Sequence, residues 1–294
     1  MLSKQSMISL AVDKNGKISG FIDVVKYCSG KTKEVRLHIS DIDVSWYLRE
    51  GLVYKSDKEE TIESRFIENE SRKAFFSLLS VLSCKWVNRK ETIDYLSSNK
   101  FYQQIVARKC GLSISRTLIS NDYKSVVKFS DPKEGLLIKS IGQVRLDDNG
   151  KYFLYSQKFS HKELTESKDA IASCPVFSQE YVEKLYEHRV MVIGKKVLCC
   201  RIDSQASEMT RIDWRHYDFK NVEHIKIELP KKVQKSLLML MRELGLQYGA
   251  IDLIETKDND FVFLEINPSG QWEWISKFAG LSISEAVADM LASI

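Results

Sequence analysis

The stretch that leaves this chain the least freedom is Phe261–Trp274, FVFLEINPSGQWEW. It opens on aromatic and β-branched residues, as a buried strand does. Side chains alternate faces along a strand, so Glu265 and Asn267 point the same way. Pro268 cannot donate to a ladder and ends the strand just past them. A carboxylate and an amide oxygen therefore stand together at an exit from the core. Hard oxygen ligands of this kind suit Mg²⁺, which takes one or two carboxylates and completes its shell with phosphate and water.

A second strand-like run, Tyr248–Glu255 (YGAIDLIE), lies just before it, joined by the polar loop Thr256–Asp260. The spacing predicts a hairpin. With the turn centred near Asp258, Asp252 falls opposite Leu264, one residue short of Glu265. A single-residue bulge would bring both carboxylates onto one face. Asp252, Glu265 and Asn267 then form a metal triad. The competing reading is a half-buried strand with two edge carboxylates, although such a pair repels itself without a cation.

The 294 residues are 44% hydrophobic and 29% charged, an ordinary globular balance with room for about two domains. No apolar run approaches the ~20 residues of a membrane span, and the first residues lack the apolar core of a signal peptide. A net charge of +4 is too mild to argue for nucleic acid. The six cysteines form no C-x-x-C, so zinc is not expected, and free thiols without an export signal fit the cytoplasm.

Residues 7–50 read as short strands with a turn at Lys14–Gly16. Ile39–Leu48 reads as a strand followed by an edge, and Glu68–Lys85 as a helix with Ala74, Phe75, Leu78, Leu79 and Leu82 on one side. Ser97–Asn99 precede a helix that starts at Lys100 and is closed by Gly111. Leu136–Lys139 (LLIK) is a short buried strand. Its terminal lysine is either a solvated surface charge or, beside the flexible Ser140–Gly142, a phosphate ligand. A turn is expected at Asp147–Lys151 with a strand, YFLY, after it. Pro175–Val182 is a further strand, and residues 186–202 a hairpin turning at Gly194–Lys195. Arg211, Asp213 and Arg215 recur at period two, as in a salt-bridged solvent-facing strand. Pro230 is placed at the first position of a helix with Val233, Leu237, Leu238, Met241 and Leu244 inward, stopped by Gly245. Ser282–Leu291 reads as a last amphipathic helix.

Taken in order, two lysines (Lys100, Lys139), a strand edge (Gln179–Val182), an acid and an arginine (Glu187, Arg189), a further arginine (Arg215) and the oxygen triad describe a nucleotide held between two sheets. Here the sequence resembles the ATP-grasp ligases, and more closely the microviridin-type or graspetide maturases that cross-link ribosomal peptides. The matching segments are WVNRKETIDYLSSNKFYQQIVARKCGL, PVFSQEYVEKLYEHRVMVIGKKV, SQASEMTRIDWRHYD, YGAIDLI and FVFLEINPSGQW, from about Trp86 to the C-terminus. The resemblance implies an α/β ATP-grasp fold, with ATP between two antiparallel-rich sheets. It divides the chain into an N-terminal pre-ATP-grasp domain at 1–96, a central subdomain at 97–178 and a C-terminal subdomain at 179–294. Relatives begin with a further strand–helix–strand unit, so the expectation is a trimmed or a reduced N-terminal domain.

By the same resemblance, Lys100 and Lys139 contact ATP phosphates. Gln179, Glu180, Tyr181 and Val182 read adenine, and Glu187 takes the ribose hydroxyls. Arg189 and Arg215 steady the γ-phosphate and the acyl phosphate made from it. Asp252, Glu265 and Asn267 hold Mg²⁺. The implied reaction activates an Asp or Glu side chain of a precursor peptide as an acyl phosphate. A Ser or Thr hydroxyl or a lysine amine then displaces phosphate, closing an ester or amide ring. The expected partners are a ribosomal precursor peptide, leader and core, bound near residues 190–216, and a second copy of the chain in a homodimer; nucleic acid and membrane are not expected. Gln271, Trp272 and Trp274 read as acceptor-pocket residues or as core. Two rival readings share the fold: a ligase that joins free amino acids or extends a protein tail, and a binding module without chemistry.

Overall fold

The computed structural model describes residues 7–28, 31–48, 61–142 and 154–294. The chain divides into two compact units, Met1–Arg89 with Ile294, and Lys90–Ser293.

The first unit carries an antiparallel sheet of β1 (Ile8–Val12), β2 (Ile18–Cys28) and β3 (Lys31–His38), in that order. Gly16, at φ +81°, makes the first turn. Ile39–Asp41 is a 3-10 turn, and only Val44–Trp46 (β4) of the expected 39–48 strand is extended. The helix expected at 68–85 instead runs over α1 (Ile62–Ser80). Thr61 and Ser64 form a reciprocal cap that the apolar spacing does not announce. Leu78 and Leu82 are both buried with Ile22, although Leu82 lies past the helix end. β5 (Lys85–Val87) then pairs parallel to β4.

The second unit begins with α2 (Lys90–Ser97), α3 (Lys100–Lys109), β6 (Ser113–Ile114) and β7 (Thr117–Ser120). These are followed by α4 (Tyr123–Phe129), β8 (Leu136–Lys139), β9 (Gln157–Phe159), α5 (His161–Glu166), α6 (Lys168–Ser173) and β10 (Val176–Gln179). The turn expected at Asp147–Lys151 lies outside the described residues, as do the first two residues of YFLY; Leu154 and Tyr155 are not in a strand. β7, β10, β8 and β9 make a four-stranded antiparallel sheet in that order. The small core formed with α4, α5 and α6 contains Val126, Leu136, Leu164 and Ile171.

The rest of the chain supplies β11 (Tyr186–Ile193), β12 (Lys196–Ile202), β13 (His224–Ile227), α7 (Lys231–Glu243), β14 (Tyr248–Glu255), β15 (Phe261–Asn267), α8 (Glu273–Ala279) and α9 (Ile283–Ser293). With β6 they give a six-stranded sheet in the order β13-β12-β11-β14-β15-β6. On one face α3 and α7 bury Val106, Ala107, Leu237, Leu240 and Met241 against Val190, Val192, Ile251, Leu253 and Phe263. Pro230 sits one residue before the helix rather than in its first turn. The Arg211–Arg215 stretch is not a strand. It folds into tight turns, with a 3-10 turn at Trp214–His216 capped by the Asp213 side chain. Among the described residues, no helix is long and apolar enough to cross a membrane.

Candidate active site

The expected bulge is present. Asp252 pairs with Glu265, Leu253 pairs with Phe263, and the register slips between Asp252 and Leu253, leaving Leu264 as the extra residue. The slip resets the alternation. Phe263 and Ile266 stay in the helix-side core, while Leu264 and Glu265 both line the opposite side, with Asp252 and Ile254.

This side is a cleft between the two sheets. It gathers Lys139, Gln179, Glu180, Tyr181, Val182, Glu187, Arg215, Asp252 and Glu265. Lys100 reaches it from the start of α3 through a smaller adjoining cavity shared with Lys139, Arg215 and Glu265. Arg189 stands one layer behind, buried, and is not on the cleft wall; its guanidinium donates to both oxygens of Asp252 at 3.0 and 3.2 Å. Asn267 is exposed at the strand end, and its amide oxygen accepts from the Ser269 N–H at 3.0 Å.

Ion pairs already stand at the cleft. Lys100 Nζ lies 3.0 Å from Glu265, Arg189 holds Asp252, and Arg215 forks onto Asp213. Burial pushes the Glu265 carboxyl up, but Lys100, Lys139 and Arg215 outweigh it and hold the group at about 2. Asp252 goes the other way. Its burial, with Glu265 opposite, outweighs Arg189 and raises it above the usual carboxylate range. Burial also brings the Lys139 ammonium down to about 8, against the pull of Glu265. A buried carboxylate whose charge burial disfavours, facing a second carboxylate, is a fit for a divalent cation. Among the described residues no three His, Cys, Asp or Glu side chains surround one point. Such a cation would therefore complete its shell with amide, phosphate and water oxygens, as Mg²⁺ does.

Several residues here escaped the sequence reading. Gln103 clamps β15 beyond its pairing with β6: its Oε1 accepts from Ile266 N–H at 2.9 Å and its Nε2 donates to Ile266 C=O at 3.0 Å. Gln104 Nε2 donates to the Leu264 carbonyl. The two amides take the place of a neighbouring strand where β6 stops, and they hold the backbone on either side of Glu265. Two adjacent glutamines inside an otherwise amphipathic helix were the available signal. Lys184 is also buried; its ammonium lies 2.6 Å from Glu187 Oε1 and 3.0 Å from the Ile212 carbonyl.

His188 faces away from the cleft. Its Nε2 lies 2.8 Å from Glu255, and burial lowers its affinity for a proton. Cys199 and Cys200 are buried, with thiols pushed up by burial, Cys200 to about 12, so neither is suited to nucleophilic work.

Two sheets gripping a cleft of lysines, arginines and paired carboxylates define the ATP-grasp architecture. Residues 97–291 match the RimK-like ATP-grasp domain, and the chain belongs to that family. The family is one of ligases that use ATP and Mg²⁺. Among solved structures, the chain is similar to the macrocyclase MdnC of Microcystis aeruginosa MRC, bound with the precursor peptide MdnA. The TM-score is 0.77 at 26% identity, covering 98% of this chain and 87% of MdnC. It is also similar to a RiPP-associated ATP-grasp ligase of Chryseobacterium gregarium, in complex with ADP and a leader and core peptide. There the TM-score is 0.81 at 25% identity, covering 98% and 85%. A tetrahydromethanopterin:alpha-L-glutamate ligase of Methanocaldococcus jannaschii is 24% identical over 286 residues, 92% of this chain and 93% of the relative.

Proposed function

We propose that this ligase activates Asp or Glu side chains of a ribosomal precursor peptide and closes ester or amide rings with Ser, Thr or Lys. The observation that carries the reading is the bulged Asp252–Glu265 pair, facing a cleft whose other walls hold Lys139, Arg215 and the 179–182 strand end. The likeness to MdnC and to the Chryseobacterium ligase, each solved with a peptide, supports the choice of substrate. In this reading Lys100 and Lys139 bind phosphate oxygens. Gln179–Val182 and Glu187 hold the nucleoside. Asp252, Glu265 and Asn267 hold Mg²⁺. ATP supplies the phosphoryl group: a substrate carboxylate oxygen bonds to the γ-phosphorus as ADP leaves, and the incoming hydroxyl or amine later expels phosphate from the acyl carbon. Arg215, fixed by Asp213, and Arg189, behind Asp252, balance the charge on the transferred group. No side chain of the protein has to form a covalent bond. The peptide-binding face near residues 190–216, the homodimer and the three-part division at 96 and 178 belong to the same proposal.

The test is purified protein with ATP, Mg²⁺ and a peptide rich in Thr, Ser, Asp and Glu encoded beside the gene. Product lighter by one water per linkage, with ADP released, supports the proposal. Turnover on free glutamate but never on peptide would favour an amino-acid ligase of the kind the Methanocaldococcus relative represents. No nucleotide binding would leave only a binding module. Glu265→Gln keeps the shape of the side chain and is expected to lower turnover by at least about a hundredfold without moving the melting temperature downward; near-normal activity removes Glu265 from the cation site.

A further inference from the structure

Lys184 lies in the short segment between the strand end at 179–182 and β11, and it is only 8% exposed. Lysines are almost never buried unless they are paired. This one has two partners from different elements. Its ammonium lies 2.6 Å from Glu187 Oε1 on β11 and donates to the Ile212 carbonyl at 3.0 Å. Ile212 directly precedes Asp213, so a single nitrogen ties β11 to the turn that carries Arg215. Lys184, Glu187 and Ile212 all line the cleft, on a wall shared with Gln179–Val182. The smaller cavity that Lys100 and Lys139 share is lined by other residues. Lys184 therefore belongs to the nucleoside end of the cleft and not to the phosphate end.

The state of Glu187 shows what this ammonium does. Glu187 is 3% exposed, and a carboxyl at that depth favours its neutral form. Burial raises it above the ordinary carboxylate range, with a small push from Asp213. Lys184 opposes this most strongly, by its charge and by its hydrogen bond, and the Ser204 hydroxyl adds a hydrogen bond. An ionised carboxylate only accepts hydrogen bonds, at about four lone-pair positions on its two oxygens. Lys184 and Ser204 take part of that capacity. The remainder is open to donors in the cleft, and a vicinal diol brings two hydroxyl donors. A neutral Glu187 would instead turn one of its oxygens into a donor and lose the match.

We infer that Lys184 is a positioning residue that acts through Glu187: by pinning Oε1 and matching its charge, it sets the preference of the cleft for a ribonucleotide over a deoxyribonucleotide. The inference rests on the reading that places Glu187 at the nucleoside. The Ile212 carbonyl fixes the ammonium from the other side, so the carboxylate is aimed before any ligand arrives. A pair that served only to hold the fold together would leave sugar preference untouched.

The test is titration calorimetry of the full chain with Mg²⁺ and ADP, 2′-deoxy-ADP or 3′-deoxy-ADP, which needs no peptide. The wild type is expected to bind ADP about tenfold more tightly than at least one of the deoxy analogues, as loss of a hydrogen bond to a charged group predicts. Lys184→Met, which keeps the length of the side chain without its charge, should bring that ratio close to one, and Glu187→Gln should do the same. Thermal melting without nucleotide checks the folding of each variant. Lys184→Gln, which keeps a donor and loses the charge, replaces Lys184→Met if the latter does not fold, and the same fall in the ratio is expected. A lower melting temperature with the ratio intact makes Lys184 a structural ion pair and overturns the inference. A ratio that survives Glu187→Gln, or equal binding of all three nucleotides by the wild type, takes the ribose away from Glu187 and overturns the inference with it. A preference that depends on both residues, in a protein that closes no ring on any peptide, keeps the inference and rejects only the peptide substrate.

Discussion

Lys139 is the residue whose environment gives the clearest prediction. Burial brings its ammonium down to about 8 in the folded protein, while the unfolded chain keeps the ordinary lysine value. Below pH 8 the folded group is charged and ready for phosphate; as pH rises through 8 it loses its proton. The KM for ATP should therefore rise above pH 8, and Lys139→Arg should remove that inflection because a guanidinium stays charged. The stability effect has the opposite sense. Between about pH 8 and 10.5 the unfolded chain binds more protons at this site than the folded one, so this group's contribution to stability increases with pH across that window. A nucleotide-free denaturation series from pH 7.5 to 10.5, comparing wild type with Lys139→Met, checks the sign. Gln103 gives a second prediction. Its clamp on Ile266 is replaced by nothing in Gln103→Leu, so Glu265 loses its support from behind. The Mg²⁺ concentration for half-maximal rate should rise by roughly 10–100-fold, whereas Gln103→Glu, which keeps an acceptor for the Ile266 N–H, should be less affected.

At the scale of elements, the hairpin β14–β15 matters most, and it was the most legible part of the sequence. Its strand limits, its exit at Pro268 and the need for a bulge followed from side-chain alternation and from the spacing of Asp252 and Glu265. The bulge's position, between Asp252 and Leu253, was not legible, because counting back from the turn gives only the unslipped register. The DWR turn was illegible for an equally physical reason. Arg211, Asp213 and Arg215 have the period of a strand, but the Asp213 carboxylate binds the Arg215 backbone and closes a 3-10 turn, a local competition that periodicity does not register. Lys184 was missed because it lies in a run of charged residues that reads as surface. Just beyond the hairpin, Gly270 supplies a close approach. A Cβ there would fall 2.6 Å from the Arg189 guanidinium and against the Ala250 side chain. Gly270→Ala is expected to cost about 1–3 kcal/mol of stability by overpacking. Its loss of kcat should exceed what that destabilisation explains, because Arg189 has to move; urea titration beside steady-state kinetics separates the two effects.

For the whole molecule, a ligand held by both sheets of the second unit should stabilise that unit. At a nucleotide concentration about 100 times its dissociation constant the gain is about 2.7 kcal/mol, which corresponds to roughly 5–10 °C in melting temperature for a domain of this size. ATP with Mg²⁺ should give this shift in differential scanning fluorimetry, and Glu265→Gln should lose most of the part that depends on Mg²⁺. The charge pairs inside the cleft extend the point. Lys100 masks Glu265 and Arg189 masks Asp252. Loading is thus an exchange of counter-ions: triphosphate draws the lysine off its carboxylate, and the freed carboxylate becomes available to the metal. Each ligand removes the competitor of the other, so the two enter as a pair, and each must tighten the other's binding by an equal factor.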